Sequence, residues 1–187
     1  SISSQIEDKE FVRILNPLSQ DLGVMRQTLL ASALEVVNHN INRKNSDLKL
    51  YEFGKSYHKK LGGYEEHKHL SLVMTGAIGS ENWNLANKEV SFFDLKGTID
   101  QILQRLGIAV TSVEPATSDV FAEGINYMIG QDVLVQFGLL KKSVLKKLDV
   151  KQAVLYADFA WGTLLKKVNT QIKFQEIPKF PAVRRDL

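Results

Sequence analysis

Two strand-like runs meet at Gly62-Gly63, and that junction constrains the fold more than any other feature of the chain. Leu48 to Lys60, following Ser46-Asp47, is rich in aromatic and apolar residues. Beyond the glycines, in Leu70-Ser71-Leu72-Val73-Met74-Thr75-Gly76-Ala77-Ile78, the even positions stay apolar or small. A period of two puts those side chains on one face of a strand. Glycine supplies the positive φ that a tight reversal needs. The expectation is an antiparallel hairpin with one face on a core.

Helical periodicity brackets the hairpin. From about Met25 to Lys44, the residues Leu29, Leu30, Ala33, Leu34, Val37 and Ile41 recur at helical spacing, with Asn38, Asn40, Asn42 and Asn45 marking a fraying end. Ser91-Phe92-Phe93-Asp94 has the form of a helix-start box, and Phe92, Leu95, Ile99, Ile102, Leu103 and Leu106 share one helical face before Gly107 ends it. Phe11 to Leu15 reads as a short strand closed by Pro17, which has no N–H to donate. Val133, Val135, Phe137 and Leu139 alternate as a strand, Lys141 to Leu148 forms a short basic helix, and Ala153 to Phe159 is a further strand. Strands in direct hairpins with helices arriving between them define an α+β domain with a mainly antiparallel sheet flanked by helices. The expected domain spans 1–168, and 169–187, with Pro178 and Pro181, reads as a linker.

At 187 residues, folding hides roughly 70% of the unfolded surface, so a sizeable core is available. The chain has no Cys, which excludes disulfides and thiolate metal sites and fits a reducing, cytoplasmic setting. The longest apolar-rich stretch, Leu29 to Val37, carries Ser32 and Glu35 and falls far short of a membrane span, so no membrane partner is expected. From Lys141 onward there are 11 Lys and Arg against 4 Asp and Glu, while the first 140 residues hold 13 against 17. The basic end could face a polyanion through Lys141, Lys142, Lys146, Lys147, Lys166 and Lys167, although a solvated lysine face is the commoner reason for such runs.

Several motifs together resemble the central domain of the beta chain of bacterial phenylalanyl-tRNA synthetase. They are Asn16-Pro17-Leu18-Ser19, then Val24-Met25-Arg26 with its helix, then Leu50-Tyr51-Glu52-Phe53-Gly54-Lys55-Ser56-Tyr57-His58-Lys59-Lys60. Phe92-Phe93-Asp94-Leu95-Lys96-Gly97 and Phe180-Pro181-Ala182-Val183-Arg184-Arg185-Asp186-Leu187 complete the set. The resemblance implies the class II aminoacyl-tRNA synthetase architecture. In that superfamily a strand runs through a Gly into an aromatic-Arg-x-Glu sequence whose Arg grips the ATP α-phosphate. Here Gly54 and Tyr57 match, His58 fills the Arg position and Lys60 the Glu position. A guanidinium is a permanent planar fork, whereas imidazole is mostly neutral at pH 7. Losing one such transition-state contact costs about 3 kcal/mol. The superfamily's last motif, a Gly-rich strand feeding a helix with another Arg, finds no counterpart in the sequence.

The resemblance therefore implies a subunit fragment of a ligase that is itself catalytically inactive. It implies a catalytic alpha chain as partner in an α2β2 assembly, with tRNA bound by the whole complex. ATP and Mg2+ would act through the alpha chain, and this domain would hold no cofactor. Met25, Arg26 and Leu29 are the candidate partner interface, though the apolar positions also suit a core and the Arg could bond its own domain's carbonyls. His67 and His69 lie on one face of a strand as a possible metal pair, but no third ligand is evident beside Glu65 and Glu66, and a polar hairpin tip accounts for them more simply. Asp94 suits a helix cap, Lys96 a solvated position and Gly97 a close helix contact, while Trp83 and Trp161 suit a core. The ending resembles the opening of an anticodon-binding domain, and the first residue, Ser1, suggests an excised piece of a longer protein. Two rival readings stand beside this one: a class II-like enzyme in which His58 and Lys60 serve ATP, and a free-standing RNA-binding domain.

Overall fold

A computed structural model of the chain describes residues 11–16, 23–79 and 88–169. The element order is α1 (Leu30–Ile41), β1 (Leu48–Lys60), β2 (Gly63–Thr75), α2 (Phe92–Arg105), β3 (Ser112–Pro115), β4 (Phe121–Ile129), β5 (Asp132–Leu140), α3 (Lys142–Lys146), β6 (Val154–Ala160) and α4 (Trp161–Lys167). The strands form one sheet in the order β1-β2-β6-β5-β4-β3, antiparallel at every step.

The sheet is the middle of three layers. On one face Leu95, Ile99 and Leu103 of α2 and Leu164 of α4 pack on Leu70, Leu72, Met74, Val135, Phe137, Leu155, Ala157 and Phe159. On the other, Leu30, Ala33, Leu34 and Val37 of α1 and Val144 and Leu145 of α3 pack on Leu48, Val73, Phe121, Leu140, Val154 and Tyr156. A strand sandwiched between helices loses its alternation. That is the fate of β2, where Leu70 to Thr75 are buried without a break, correcting the expectation of a single buried face.

The hairpin forms as expected, with Lys60 opposite Gly63 across a turn in which Gly62 has φ 97°. β2 begins well before Leu70, so the pair is longer than its apolar pattern. Helix α2 has its box: Ser91 N donates to Asp94 Oδ2 at 2.8 Å, the Ser91 hydroxyl bonds the same oxygen, and Gly107 leaves the helix at φ 65°.

Other expectations shift. The first helix starts at Leu30 rather than near Met25, because the residues before it are drawn onto the edge of β1. It ends among its asparagines, at Ile41, with Asn42 as the C-cap. Asn40 Nδ2 donates to Val36 O at 2.8 Å, Asn42 Nδ2 to Asn38 Oδ1 at 3.1 Å, and Asn45 N to Asn40 O at 3.1 Å. The strand expected at Phe11 to Leu15 contracts to one bridge, Arg13 to Val24. β3, β4 and α4 were not foreseen. Asn169 N donates to the Leu106 carbonyl at 3.1 Å, while the rest of the expected linker, with Trp83, lies outside the described residues.

Candidate functional site

The hairpin carries the residues that the sequence singled out, and its tip is polar on the face that α1 leaves uncovered. Register places Ser56 opposite His67, Gly54 opposite His69, and Ser71 opposite Asp158 of β6. Residues facing each other across an antiparallel pair share a side. Ser56, His58, His67, His69 and Asp158 therefore stand on one face.

Their bonds have a direction. His69 Nδ1 lies 2.8 Å from Asp158 Oδ1, and an ionised carboxylate only accepts, so this nitrogen carries the proton. In the neutral ring Nε2 then accepts from the Ser56 hydroxyl at 2.8 Å, and the Ser56 oxygen accepts a hydrogen bond from His58 Nε2 at 3.3 Å. The chain His58, Ser56, His69, Asp158 ties β1, β2 and β6 together. A Ser-His-Asp series invites a nucleophilic reading. Ser56 is fully buried, with 0% exposure, so no substrate carbonyl reaches its oxygen and the series acts as a tie.

His67 is outside this chain. Its ring centroid lies 5.4 Å from that of His58, and its Nε2 is 3.4 Å from Glu65 Oε2. No group of three or more His, Asp or Glu side chains among the described residues is arranged to hold a metal.

A second cluster binds the start of α1 to β1. Arg26 Nη1 pairs with Glu52 Oε1 at 2.6 Å, its Nε donates to the Lys55 carbonyl at 2.9 Å, and its own carbonyl accepts from Tyr57 N at 2.9 Å. Gly54 lies under this arch. A Cβ there would overlap Arg26 Nη2 and come within 2.8 Å of Leu29 Cδ2, which is why the motif has glycine. Of the candidate interface residues, Leu29 is buried at 1% exposure, Met25 is half-buried, and Arg26 is exposed but held inside its own domain.

The remaining candidates fall into ordinary surroundings. Lys142, Lys146 and Lys147 are exposed on and just after α3, and half-buried Lys141 lies 3.7 Å from Asp119. Hydrogen bonds from the Ser91 hydroxyl and then the Ser91 N–H hold the Asp94 carboxyl below its usual range. Lys96 is not simply solvated. It pairs with Asp100 at 2.7 Å, sits 5.8 Å from the centre of the Tyr127 ring, and is pushed up to about 12, chiefly by Asp100. Gly97 makes no close helix contact, since a Cβ there would meet open space. Trp161 is half-buried, edge-on to Phe53 at 5.0 Å. Sequence reading missed Ser56 and Asp158. Their only signal was a polar residue inside a strand, and register alone brings them together.

The fold is shared with a solved tRNA synthetase. Pyrrolysyl-tRNA synthetase from Desulfitobacterium hafniense superposes with a TM-score of 0.63 over 84% of this chain and 53% of that one, at 16% identity. Sequence narrows the class further. The family described as the phenylalanyl tRNA synthetase beta chain CLM domain matches residues 2–161. The phenylalanine–tRNA ligase beta subunit of Bacteroides fragilis is 41% identical over 96% of the chain, and that of Thermotoga maritima 30% identical over 96%. The chain belongs to this beta-chain family. It spans 23% of the length of those two relatives.

Proposed function

We propose that the chain is a class II-like core stripped of its chemistry, acting within a phenylalanine–tRNA ligase beta subunit as a packing and positioning module. Its partner is the catalytic alpha subunit in a cytoplasmic α2β2 assembly that attaches phenylalanine to tRNA at the expense of ATP. The reading is supported most by the hairpin tip. His58, at the phosphate-gripping position, is bound to buried Ser56, and Lys60, at the Glu position, closes a two-residue turn. The superfamily's motif offers ATP a guanidinium fork and a carboxylate, and the tip has an imidazole and an ammonium in those two places. ATP and Mg2+ belong with the alpha subunit. β6 runs straight into α4 and so has the outline of the superfamily's last motif, which the sequence left without a counterpart, yet Trp161–Lys167 contains no Arg.

The test is to purify the full-length beta subunit and mix it with the alpha subunit. A stable complex is expected, with adenylate formed by the complex and none by the beta subunit alone. Adenylate formation by the beta subunit alone would overturn the reading.

A further inference from the structure

The outer edge of β1 has an occupied part and a free part. The turn at Leu61-Gly62 makes Lys60 and Gly63 a directly facing pair, and the register then runs without a shift to Leu48 opposite Thr75. Even-numbered residues of β1 thus turn their N–H and C=O groups toward β2, and odd-numbered ones turn theirs outward. Near the tip the outward groups are taken, since Tyr57 N donates to Arg26 O and Lys55 O accepts from Arg26 Nε. Toward the root, those of Lys49, Tyr51 and Phe53 have no backbone partner among the described residues.

The side chains of these residues reinforce the point. Tyr51 is 72% and Phe53 56% exposed, on the face that holds α2 and α4. Their rings meet edge to face at 6.2 Å, and Phe53 continues to Trp161 at 5.0 Å. A long edge with exposed aromatics is a template for another strand, and proteins ordinarily blunt such edges. The opposite edge is blunted: β3 has four residues and ends at Pro115.

Charge narrows the occupant. Lys49, Lys55, Lys59 and Lys68 share this face of the hairpin, where Glu66 pairs with Lys55 at 2.7 Å, Lys49 donates to the Ile78 carbonyl and Asp94 approaches from α2, so four cations face two acids. A second copy of the chain fits poorly. An antiparallel self-pairing that sets Tyr51 against Phe53 puts Lys49 directly opposite Lys55, and like charges in that position repel.

We infer that the edge from Lys49 to Phe53 receives an extended strand from the other subunit of the ligase. That strand lays alternate apolar side chains over Tyr51 and Phe53 and carries acidic residues that complement the net positive charge of this face. Main-chain bonds supply affinity and the alternate side chains supply specificity. The inference rests on the two-subunit reading above.

Residue-resolved hydrogen exchange on the full-length beta subunit, alone and assembled with the alpha subunit, tests it. On assembly the amides of Lys49, Tyr51 and Phe53 are expected to slow by at least about tenfold, while Leu50 and Glu52, already bonded to β2, change little. Phe53→Asp, at an exposed site, is expected to weaken assembly by at least about tenfold with the beta subunit's own fold intact. An assembled complex with unchanged exchange at the three odd positions overturns the strand and leaves the assembly standing. Protection already present in the beta subunit alone overturns it too, since its own chain would then cover the edge. Failure to assemble overturns both readings.

Discussion

The root and the tip of the β1–β2 hairpin are made of the same two strands and hold together by different physics. At the root Leu70, Leu72 and Met74 pack beneath α2 and α4 while Val73 packs beneath α1. At the tip, apolar cover is replaced by a buried hydroxyl, two imidazoles and a carboxylate in one line, and by Arg26 arched over Gly54. Non-directional burial tolerates many sequences, whereas the polar ties work only if each partner is present. On the proposed reading the root preserves the fold, and the tip carries polar ties where the superfamily's motif would bind phosphate.

The contrast can be pressed from the strongest effect down. Phe159 is fully buried where β6 meets β2 and β5, and Phe159→Ala is expected to cost about 3 to 5 kcal/mol in chemical unfolding. A loss below about 1 kcal/mol would mean that packing at the root is not what holds the sheet.

Gly54→Ala is next. Its Cβ would overlap Arg26 and crowd Leu29, so either the arch shifts or the strand bends, at an expected cost of about 1 to 3 kcal/mol. The double variant Gly54→Ala, Arg26→Ala should recover part of that loss. Failure to recover any would place the strain on Leu29 alone.

Asp158→Ala removes the acceptor at the end of the tip's polar line and leaves His69 Nδ1 unpaired, for about 1 to 2 kcal/mol. The tautomer of His69, read by nitrogen NMR, should lose its Nδ1–H preference. An unchanged tautomer would show that the carboxylate does not set the direction of the chain.

The smallest effect sits outside the hairpin and depends on pH. Asp94 titrates below its ordinary value in the folded state because Ser91 donates to its carboxylate. Its stabilisation is therefore full above the ordinary carboxylate range and fades as pH falls through the lowered value. Asp94→Asn should cost about 0.5 to 1 kcal/mol near neutral pH and progressively less in acid. A loss that stays constant across that range contradicts the assignment.

How much of this the sequence disclosed follows from where the information sits. α2 was legible because its box, apolar face and terminal glycine all lie within one local stretch. β4 was not, because Glu123, Gly124 and Asn126 break the alternation for reasons of pairing. Gly124 lies so close to Gly138 that a side chain on the latter would overlap it, and Gln136 Nε2 donates to Asn126 Oδ1 at 3.1 Å. α4 lacks a side-chain cap and begins directly on the end of β6, which removes the usual start signal. The substitutions at His58 and Lys60 were visible in sequence. The line from His58 to Asp158 was not, since its last link, His69 to Asp158, spans 89 positions and depends on two strand registers.

The central claim is that this domain organises a ligase without taking part in its chemistry. ATP–pyrophosphate exchange by the assembled enzyme, with the beta subunit wild-type or carrying His58→Ala and Lys60→Ala together, tests it most directly. The account predicts equal kcat and equal KM for ATP. A loss of kcat of more than about tenfold in an enzyme that still assembles would contradict it and return His58 and Lys60 to the active site.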